Sequence, residues 1–572
     1  MKRARSQPAA PAPPSPPLAA ALPPAALPAL AAALAAAAPF PHLHLAAPLP
    51  LAHLERVRAE VLAWEASGAG WTPRRNDLYS FAQSGALASA PGAATRALAA
   101  YLYSPAFRAL VEALTGVAGL GATADASAAA YRSGDYLLCH DDHLLTRRVA
   151  FILYLTPGAW APDAGGELQL FASCAATGAP TRVARALPPR VGSLALFEVT
   201  PRSFHQVAEV LEDGAGPRLS ISGWFHGPPA RGAGGAREYR PQLPAPRFLA
   251  PLALAPAGSG SSAGAGAAAL TLDAAAEAAA QHAHHTSLAS LVNPTYLRPG
   301  TAAAIAARLA AEGGALLLPG FLREEVFAGV MRALGSAPWA HCGPPVLQSL
   351  RQAYTSADLQ GLGATERLAG GYAPCPLRAL FAALCGEEFR ALLEGFRGAG
   401  ARGGGGGGGG GRLGGVAGAV RAFAHGDYTI ITDPEYKAQA RAGKAARAGL
   451  VEGGGGSSGG GGEGGGGGGG SASGASGSSA GGGAGSSAPG AAGSLFEATL
   501  TCVRTGPGEW EDAWGGTTTY LTADEERESV SPQGNSLCLV AREPGLLSFV
   551  KHLSRQAPEP VYQVLLQYQV EQ

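Results

Sequence analysis

Short apolar runs, separated by clusters of proline and glycine, dominate residues 131–225. Four of these runs are rich in β-branched and aromatic residues, and they span 149–155, 166–171, 192–199 and 218–225. Such runs are typical of β-strands. Several of these predicted strands separate a polar motif at 140–142 from another at 203–207. A double-sheet jelly roll could bring the two motifs together. Apolar residues at helical spacing in 53–64 and 94–114 predict helices that support the strands.

A candidate metal site lies at the ends of the predicted strands. His140 and Asp142 are two positions apart, so in a strand both side chains would face the same way, and Asp141 would point away. His205, several strands later, would complete a set of two histidines and one carboxylate, which holds Fe(II) and leaves coordination positions open. A His-x-Asp pair alone is weak evidence, because such pairs arise by chance and most histidines near strands satisfy only local hydrogen bonds.

Arg218 strengthens the evidence that these three residues form a metal site. It lies after His205 and opens the next predicted strand, where its planar guanidinium could bind the far end of a dicarboxylate. Tyr131, Tyr154 and Ser220 carry hydroxyl groups that could donate to the same oxygens. The sequence therefore predicts a site for iron beside a site for a dicarboxylic cosubstrate.

Six segments carry a likeness to one enzyme family. They are 76–84, 137–142, 147–157, 197–207, 218–227 and 425–431. These segments resemble the ribosomal prolyl hydroxylases, the termination-and-polyadenylation-associated type of 2-oxoglutarate- and Fe(II)-dependent dioxygenase with two jelly-roll domains. The resemblance implies a mainly β fold with supporting helices, in which two double-stranded β-helix (jelly-roll) domains follow one another. It covers most of the chain outside the low-complexity segments.

The resemblance also implies a site and a reaction. It implies three iron ligands and three residues around 2-oxoglutarate, namely His140, Asp142, His205, Arg218, Tyr131 and Tyr154. In this family, oxygen converts 2-oxoglutarate to succinate and carbon dioxide while a C–H bond is hydroxylated, and L-ascorbate commonly keeps the iron reduced. The family's substrate is a proline of a small-subunit ribosomal protein at the decoding centre. We therefore expect a peptidyl-proline hydroxylase that affects translation accuracy or termination, with translation termination factors as candidate partners.

Two other classes of function share parts of this pattern. A scaffold that binds translation or mRNA-decay factors would keep the fold without the chemistry, but such a module has no need of Arg218 beside a complete ligand set. A nucleic-acid demethylase of the same oxygenase superfamily would also use His-x-Asp and a distal histidine. The formal charge is balanced, with 42 basic and 42 acidic residues, which argues against a nucleic-acid-binding surface. A protein substrate is therefore the expected partner.

Composition divides the chain into segments. The predicted segments are a disordered Pro/Ala-rich tail at 1–44, the catalytic jelly roll at 45–230, a linker at 231–287 and a second jelly roll at 288–572. Two glycine-rich insertions interrupt the second jelly roll at about 400–418 and 449–493. They are predicted to be flexible, because glycine loses the most backbone entropy on ordering.

The second jelly roll is predicted to lack the chemistry of the first. Residues 426–434 align without a gap on 134–142, which places Thr432 and Pro434 where both proximal ligands stand. Val550 then takes the place of the distal histidine, and the last predicted strand offers no arginine. Because glycine pairs and ligand positions follow in the same order, a duplication explains the pattern better than chance similarity. We expect this domain to stabilise the first and to contribute to partner or substrate docking.

The cysteines and the N-terminus bear on the compartment. Seven widely spaced cysteines without a C-x-x-C motif indicate reduced thiols and an intracellular protein, and Cys139 is expected to pack away from the ligand face. Prolines interrupt the Ala/Leu segment 18–38, which argues against a membrane helix. The tail carries no acidic residue before Glu55, so it fits a solvated tail, a nuclear address or an organelle transit peptide. We expect the protein to be located in the cytoplasm and nucleus, with an organelle as the alternative.

Overall fold

The computed structural model describes residues 22–571 apart from the gaps 123, 145, 159, 215, 229–287, 313, 361–375, 399–411, 432–493, 507, 523–525 and 543–545. The first 21 residues of the predicted tail, the predicted linker and most of both glycine-rich insertions lie outside the described residues. So do Thr432 and Pro434, the predicted replacements of the proximal ligands.

Eleven strands and four α-helices make up the first half of the described chain. The helices are α1 Leu27–Ala36, α2 Leu51–Ala66, α3 Ala93–Leu102 and α4 Pro105–Thr115, with 3-10 turns at Pro24–Ala26 and Leu87–Ser89. The strands are β1 His42–Leu45, β2 Trp71–Arg75, β3 Tyr79–Ala86, β4 Ala124–Tyr131, β5 Tyr136–His140, β6 Arg147–Tyr154, β7 Leu168–Ser173, β8 Pro180–Leu187, β9 Leu194–Glu198, β10 His205–Val207 and β11 Arg218–His226. They form one curled antiparallel sheet.

Eleven further strands follow in the second half of the described chain. The helices there are α5 Leu288–Leu291, α6 Pro299–Ala311, α7 Glu324–Leu334, α8 Ser356–Gln360, α9 Pro376–Leu384 and α10 Glu387–Phe396, with 3-10 turns at Pro294–Leu297 and Asp512–Trp514. The strands are β12 Ala315–Pro319, β13 Ala340–Cys342, β14 Gln348–Thr355, β15 Leu413–Phe423, β16 Tyr428–Thr429, β17 Leu495–Cys502, β18 Thr518–Leu521, β19 Glu526–Val530, β20 Ser536–Arg542, β21 Leu547–Val550 and β22 Val561–Val570.

The second set of strands repeats the pairing of the first. The order β1-β9-β6-β11-β4-β3 corresponds to β12-β20-β17-β22-β15-β14, and β10-β7-β8 corresponds to β21-β18-β19. In addition, β2 and β5 both pair with β3, as β13 and β16 both pair with β14. The predicted fold, mainly β with two tandem jelly rolls, is confirmed. Within the described residues, no helix combines the length and apolar character that crossing a membrane requires.

Strand β6 shows how the sequence places the core. This strand lies between β9 and β11, and its apolar run is buried on both faces, because helices cover one face and the interior of the curled sheet lies against the other. Phe151 and Leu153 face the helices and pack in the cluster that contains α2, α3 and α4 side chains. Ala150, Ile152 and Tyr154 alternate with them and face the interior of the curled sheet. The inner face of this strand therefore becomes a wall of the site.

The predicted disorder of the tail is wrong for residues 22–44. Leu27 and Leu30 pack against the first core, and Leu34, on the same side of α1, is only 1% exposed. Pro23, Pro24 and Pro28 stand in or before a first helical turn, where a missing amide hydrogen is tolerated. Strand β1 then pairs with β9 along its full length. The spacing of the apolar residues, rather than the alanine and proline content, therefore determines that this segment is folded.

The predicted flexible insertion at 400–418 is also wrong at its end. Residues 413–418 belong to β15, which pairs with β22. A side chain at Gly418 would bring its Cβ within 2.8 Å of Leu566, so here glycine permits close packing. The glycines at the end of this predicted insertion therefore belong to a β-strand and not to a flexible loop.

Candidate metal centre

The structure brings the three predicted metal ligands together. His140 ends β5 and His205 begins β10, and the two residues are paired across the antiparallel ladder. The Nε2 atoms of His140 and His205 lie 3.5 Å and 3.4 Å from the two carboxylate oxygens of Asp142. One donor atom from each of the three residues lies within 4.8 Å of the others. This is the spacing of ligands that surround one metal ion.

The backbone at Asp142 differs from the expected strand. Strand β5 ends at His140, and Asp142 lies beyond it with a left-handed φ of 61°. Non-glycine residues seldom adopt this conformation, so the local fold and not the two-residue alternation of a strand turns the carboxylate toward the histidines. The prediction that both side chains share one strand face is therefore wrong in mechanism, although the two side chains do meet.

Two backbone carbonyls fix the orientation of the imidazoles. The Nδ1 atom of His140 lies 2.8 Å from the carbonyl oxygen of Leu138, and Nδ1 of His205 lies 2.7 Å from the carbonyl oxygen of Ser203. Because a carbonyl can only accept, each Nδ1 must carry the hydrogen. In the neutral imidazole each Nε2 then presents its lone pair to the centre of the cluster, as a metal ligand must, and a protonated Nε2 donates to Asp142 instead.

The charges of the cluster are mutually supporting. Burial raises the pKa of Asp142, but hydrogen bonds from His140 and His205 outweigh burial and bring the pKa well below its usual range. Burial lowers the pKa of His140, yet the hydrogen bond to Asp142 and its charge produce a net rise. The buried carboxylate thus attracts positive charge to this point, and a divalent cation would satisfy it.

Trp224 and Arg147 hold the carboxylate from the other side, and sequence reasoning missed both. The indole Nε1 of Trp224 donates to Oδ2 of Asp142 at 2.9 Å. The guanidinium of Arg147 lies 3.5 Å from the centre of the Trp224 ring and 3.6 Å from Oδ1 of Asp142. A signal was present, since Trp224 follows Arg218 by an even number of residues in β11 and so shares its strand face.

Arg218 forms the second part of the site. It is 1% exposed, and its Nε donates to the carbonyl oxygen of Gly166 at 2.6 Å. Its Nη1 lies 3.4 Å from Oγ of Ser220, and its guanidinium carbon lies within 5.2 Å of the ring centres of Tyr131 and Tyr154. A Cβ at Gly166 would come within 3.0 Å of the Arg218 side chain, so this approach requires glycine.

Two buried polar atoms in this part await a partner. Among the described residues, neither Nη2 of Arg218 nor the hydroxyl of Tyr154 has a hydrogen-bond partner. A cavity of about 240 Å³ is lined by Arg218, Ser220 and all three ligand residues. A buried cation and a buried hydroxyl without partners, next to such a cavity, fit one carboxylate of a dicarboxylic acid. The residues therefore fit 2-oxoglutarate as well as iron.

Two family models match the chain. The model of the 2OG-Fe(II) oxygenase superfamily matches residues 126–226, and the model described as "oxoglutarate and iron-dependent oxygenase degradation C-term" matches residues 283–572, just over half of the chain. This chain belongs to the oxoglutarate- and iron-dependent oxygenases. The family resemblance drawn from the sequence is confirmed, and membership in this oxygenase family implies Fe(II) and 2-oxoglutarate.

Individual members of the oxygenase family align with most of the chain. The prolyl 3-hydroxylase OGFOD1 of Mus musculus is 29% identical over 512 residues, which cover 88% of this chain and 83% of that protein. The prolyl 3-hydroxylase OGFOD1 of Xenopus laevis is 28% identical over 555 residues, which cover 91% and 84%. Among solved structures, a Pseudomonas putida prolyl-4-hydroxylase is 24% identical and covers 34% of this chain and 98% of its own, with a TM-score of 0.28.

The strand register corrects one prediction about the second half of this oxygenase. Val550 pairs with Thr518, the second residue after a glycine pair. In the first half, the residue at that place in β7 pairs with Val207, which lies two residues beyond the distal histidine. Ser548, and not Val550, therefore occupies the position of His205. The prediction aligned two Ser-Phe pairs, whereas the ladder of backbone hydrogen bonds decides the register.

The position of Arg218 in the second half is occupied by valine. Arg218 pairs with Tyr131 in the first sheet, and Val561 pairs with Phe423 at the corresponding place in the second. Neither Ser548 nor Val561 could serve as a strong metal or carboxylate partner. In the described part of the second half, the distal ligand and the cosubstrate arginine are thus both replaced.

Proposed function

We propose that this oxygenase is a protein prolyl hydroxylase, and that its substrate is a proline of a small-subunit ribosomal protein at the decoding centre. The observation that carries the proposal is the His140, Asp142 and His205 cluster beside Nη2 of Arg218 and the hydroxyl of Tyr154. The relatives with the same overall span are named prolyl 3-hydroxylases, which supports proline as the modified residue.

In this reaction the protein itself would bind the metal and orient the cosubstrate. When bound, Fe(II) and 2-oxoglutarate would supply the oxidation in which O₂ and 2-oxoglutarate give succinate, carbon dioxide and one hydroxylated C–H bond. The Nε2 atoms of His140 and His205 and one oxygen of Asp142 would hold the metal, while Trp224 retains the other oxygen. Arg218 would orient the far carboxylate of the cosubstrate.

The walls of the cavity suit a proline ring. Tyr79, Phe81, Leu137 and Trp224 line it together with the metal ligands. Phe81 stacks on Tyr131 with their ring centres 4.7 Å apart, so one wall is a fixed aromatic surface. Apolar and aromatic walls exclude water and bind an uncharged ring, which supports a prolyl residue over a charged side chain.

Mass spectrometry of ribosomal proteins tests the proposal. In cells that lack this protein, one proline-containing peptide of a small-subunit protein should lose the mass of one or two oxygen atoms. Re-expression of the wild-type chain should restore the mass, and a His140→Ala variant should not. If every ribosomal peptide kept its mass, the proposed substrate would be wrong, and a scaffold for translation factors would become the better explanation.

L-ascorbate, termination factors and the compartment complete the proposal. L-ascorbate is proposed as the reductant that keeps the iron as Fe(II), and its omission should shorten the series of turnovers in a purified assay. Termination factors are proposed partners, and the cytoplasm and nucleus the proposed location. Fractionation of cells that express the full chain, followed by capture of bound proteins, tests the last two points. Enrichment in an organelle would contradict the proposed location.

A further inference from the structure

The second jelly roll contacts the two strands that carry the histidine ligands. Cys139 precedes His140, Phe204 precedes His205, and both side chains point away from the metal centre. Together with Phe171 they form one buried cluster, and its partly buried cap is Val346 from the second jelly roll. A single side chain of the second domain therefore packs behind both histidines.

A second cluster lies next to the first. Leu138, whose carbonyl oxygen accepts from Nδ1 of His140, packs with Tyr136 against Tyr428 and Ile430 of the second domain. The hydroxyl of Tyr428 donates to the carbonyl oxygen of Pro345 at 2.6 Å, immediately before Val346. Tyr428 thus contacts the ligand strand and also fixes the turn that supplies the cap.

Polar contacts join the second domain to chain segments that flank these strands. Glu209, four residues after His205, accepts from the hydroxyl of Ser554 and, at 3.0 Å, from the backbone amide of Arg555. On the other side, the amide of Ile431 donates to Oδ2 of Asp77 at 2.9 Å. Directional bonds as well as packing therefore join the second domain to the segment after β10 and to the segment before β3, a strand that pairs with β5.

We propose that the second jelly roll positions the metal centre, with Val346 and Tyr428 as the positioning residues that hold β5 and β10 at ligand spacing. Each histidine is oriented by a backbone carbonyl, so a small shift of either strand moves an Nε2 atom directly. A domain whose described residues lack the distal ligand would then be retained because it sets the geometry of its neighbour's ligands. The inference rests on the iron site of the proposed function but not on the identity of the substrate.

The test measures metal binding in full-length protein without any substrate. Val346→Ala and Tyr428→Phe should each weaken Mn(II) binding by about 10-fold, a typical effect of an outer contact on a metal ligand. The visible absorption bands of the Co(II) form, which report coordination geometry, should shift as well. Hydrogen exchange of residues 136–142 should become faster in both variants.

Matched substitutions separate positioning from general stability. Val326→Ala alters another partly buried valine packed in the core of the second domain, and Tyr568→Phe removes a hydroxyl that donates to Leu384 at 3.1 Å. Both should lower the free energy of unfolding and leave Mn(II) binding and the Co(II) bands as in the wild type. Equal metal affinity and equal spectra in all four variants would overturn the inference.

The two proposals can fail separately. If the wild-type protein bound Mn(II), the Val346 and Tyr428 variants bound it weakly, and no ribosomal proline were modified, the proposed substrate would fall and this inference would stand. If the proline were modified equally well by every variant, with unchanged Mn(II) affinity, the proposed function would stand and this inference would fall.

Discussion

The two jelly rolls share a scaffold, but the interior of the first encloses a cavity and the interior of the second is filled by side chains. In the first, the interior is a cavity of about 240 Å³, and in the second a cavity of only about 20 Å³ remains at the corresponding place. The smaller volume suffices for one water molecule and excludes 2-oxoglutarate. In its described part, the second domain therefore lacks both the space for the chemistry and the residue types of His205 and Arg218.

Substitution of two alanines accounts for much of this difference. Ala129 pairs with Ser220 in the first sheet, and Arg421 pairs with Gln563 at the same place in the second. Ala150, which faces the first cavity, corresponds in the same way to Glu497. Small side chains leave the interior open in one domain, and long polar ones fill it in the other.

The long polar side chains satisfy one another. Glu497 accepts from the hydroxyl of Tyr520 at 2.6 Å, from Gln567 at 2.9 Å and from Arg542 at 3.1 Å. Burial raises the pKa of Glu497, but the charge of Arg542 and these hydrogen bonds produce a net decrease. The carboxylate is thus held ionised inside the domain, in a network that fills the interior.

Hydrogen bonds of the scaffold persist in both domains. Oγ of Ser80 donates to Asp135 at 2.6 Å, and its counterpart in the second domain, Ser349, donates to Asp427 at the same distance. An indole likewise donates to the first glycine carbonyl of the glycine pair in each domain. The comparison teaches that turns and ladders define the fold, whereas a few interior side chains define whether a site exists.

Exchange of the distal ligand should give the largest effect. His205→Ser installs the residue type that the second domain has at this position, and it removes one of three protein ligands. We expect loss of stoichiometric Fe(II) and of 2-oxoglutarate turnover, with the fold retained. Metal analysis and succinate formation measure both.

Ser548→Ala is the matched control in the second domain. It should leave iron content and turnover at wild-type values. A loss of iron in the Ser548 variant, or turnover in the His205 variant, would contradict the assignment of the chemistry to the first domain alone.

Breaking the interior network should be the next largest effect. Glu497→Ala leaves Arg542 buried without its carboxylate, which typically costs about 3–5 kcal/mol in the free energy of unfolding. Denaturant unfolding measures this. The control is Arg308→Ala, which breaks an exposed pair with Glu312 at 2.8 Å and should cost about 0.5 kcal/mol or less. Similar costs for the two variants would mean that the network does not support the second domain.

Conservative replacement of the cosubstrate arginine should have a smaller effect. Arg218→Lys keeps the charge but loses the planar fork, so 2-oxoglutarate should bind about 10- to 100-fold more weakly, the worth of one charged hydrogen bond. Mn(II) binding should be unchanged. Arg218→Val, with the residue type of the second domain, should weaken the cosubstrate further. An unchanged affinity in Arg218→Lys would show that another residue anchors the far carboxylate.

The sequence allowed the metal ligands and the arginine to be predicted because each occurs in a motif beside a strand. It did not reveal the left-handed turn at Asp142 or the Arg147 contact, since both depend on how a loop folds over the strand end. The filled interior of the second domain was equally hidden. Glu497 and Arg421 stand in strands whose pattern does not show that a partner arrives from another strand.

The interface between the domains offers the last contrast. His552 occupies in the second domain the place of Glu209 in the first, because the carbonyl oxygen of each closely approaches the first residue of a glycine pair. Burial, followed by the charge of Lys551, lowers the pKa of His552 to about 3, whereas burial raises the pKa of Glu209. The His552 ring lies 4.3 Å from that of Tyr136. In the folded protein, protonation is therefore disfavoured at His552 and favoured at Glu209.

His552→Phe should flatten the acid side of the stability profile. A lowered pKa in the folded state means that the stability contributed by neutral His552 is present above about pH 6.5 and is lost as the pH falls toward 3. The slope from this one group is about 1.4 kcal/mol per pH unit, and phenylalanine keeps the ring contact without the proton. Denaturant unfolding at a series of pH values measures the slope. The exposed His341→Gln variant should follow the wild-type profile, and a His552→Phe profile parallel to wild type would show that the histidine does not titrate with unfolding.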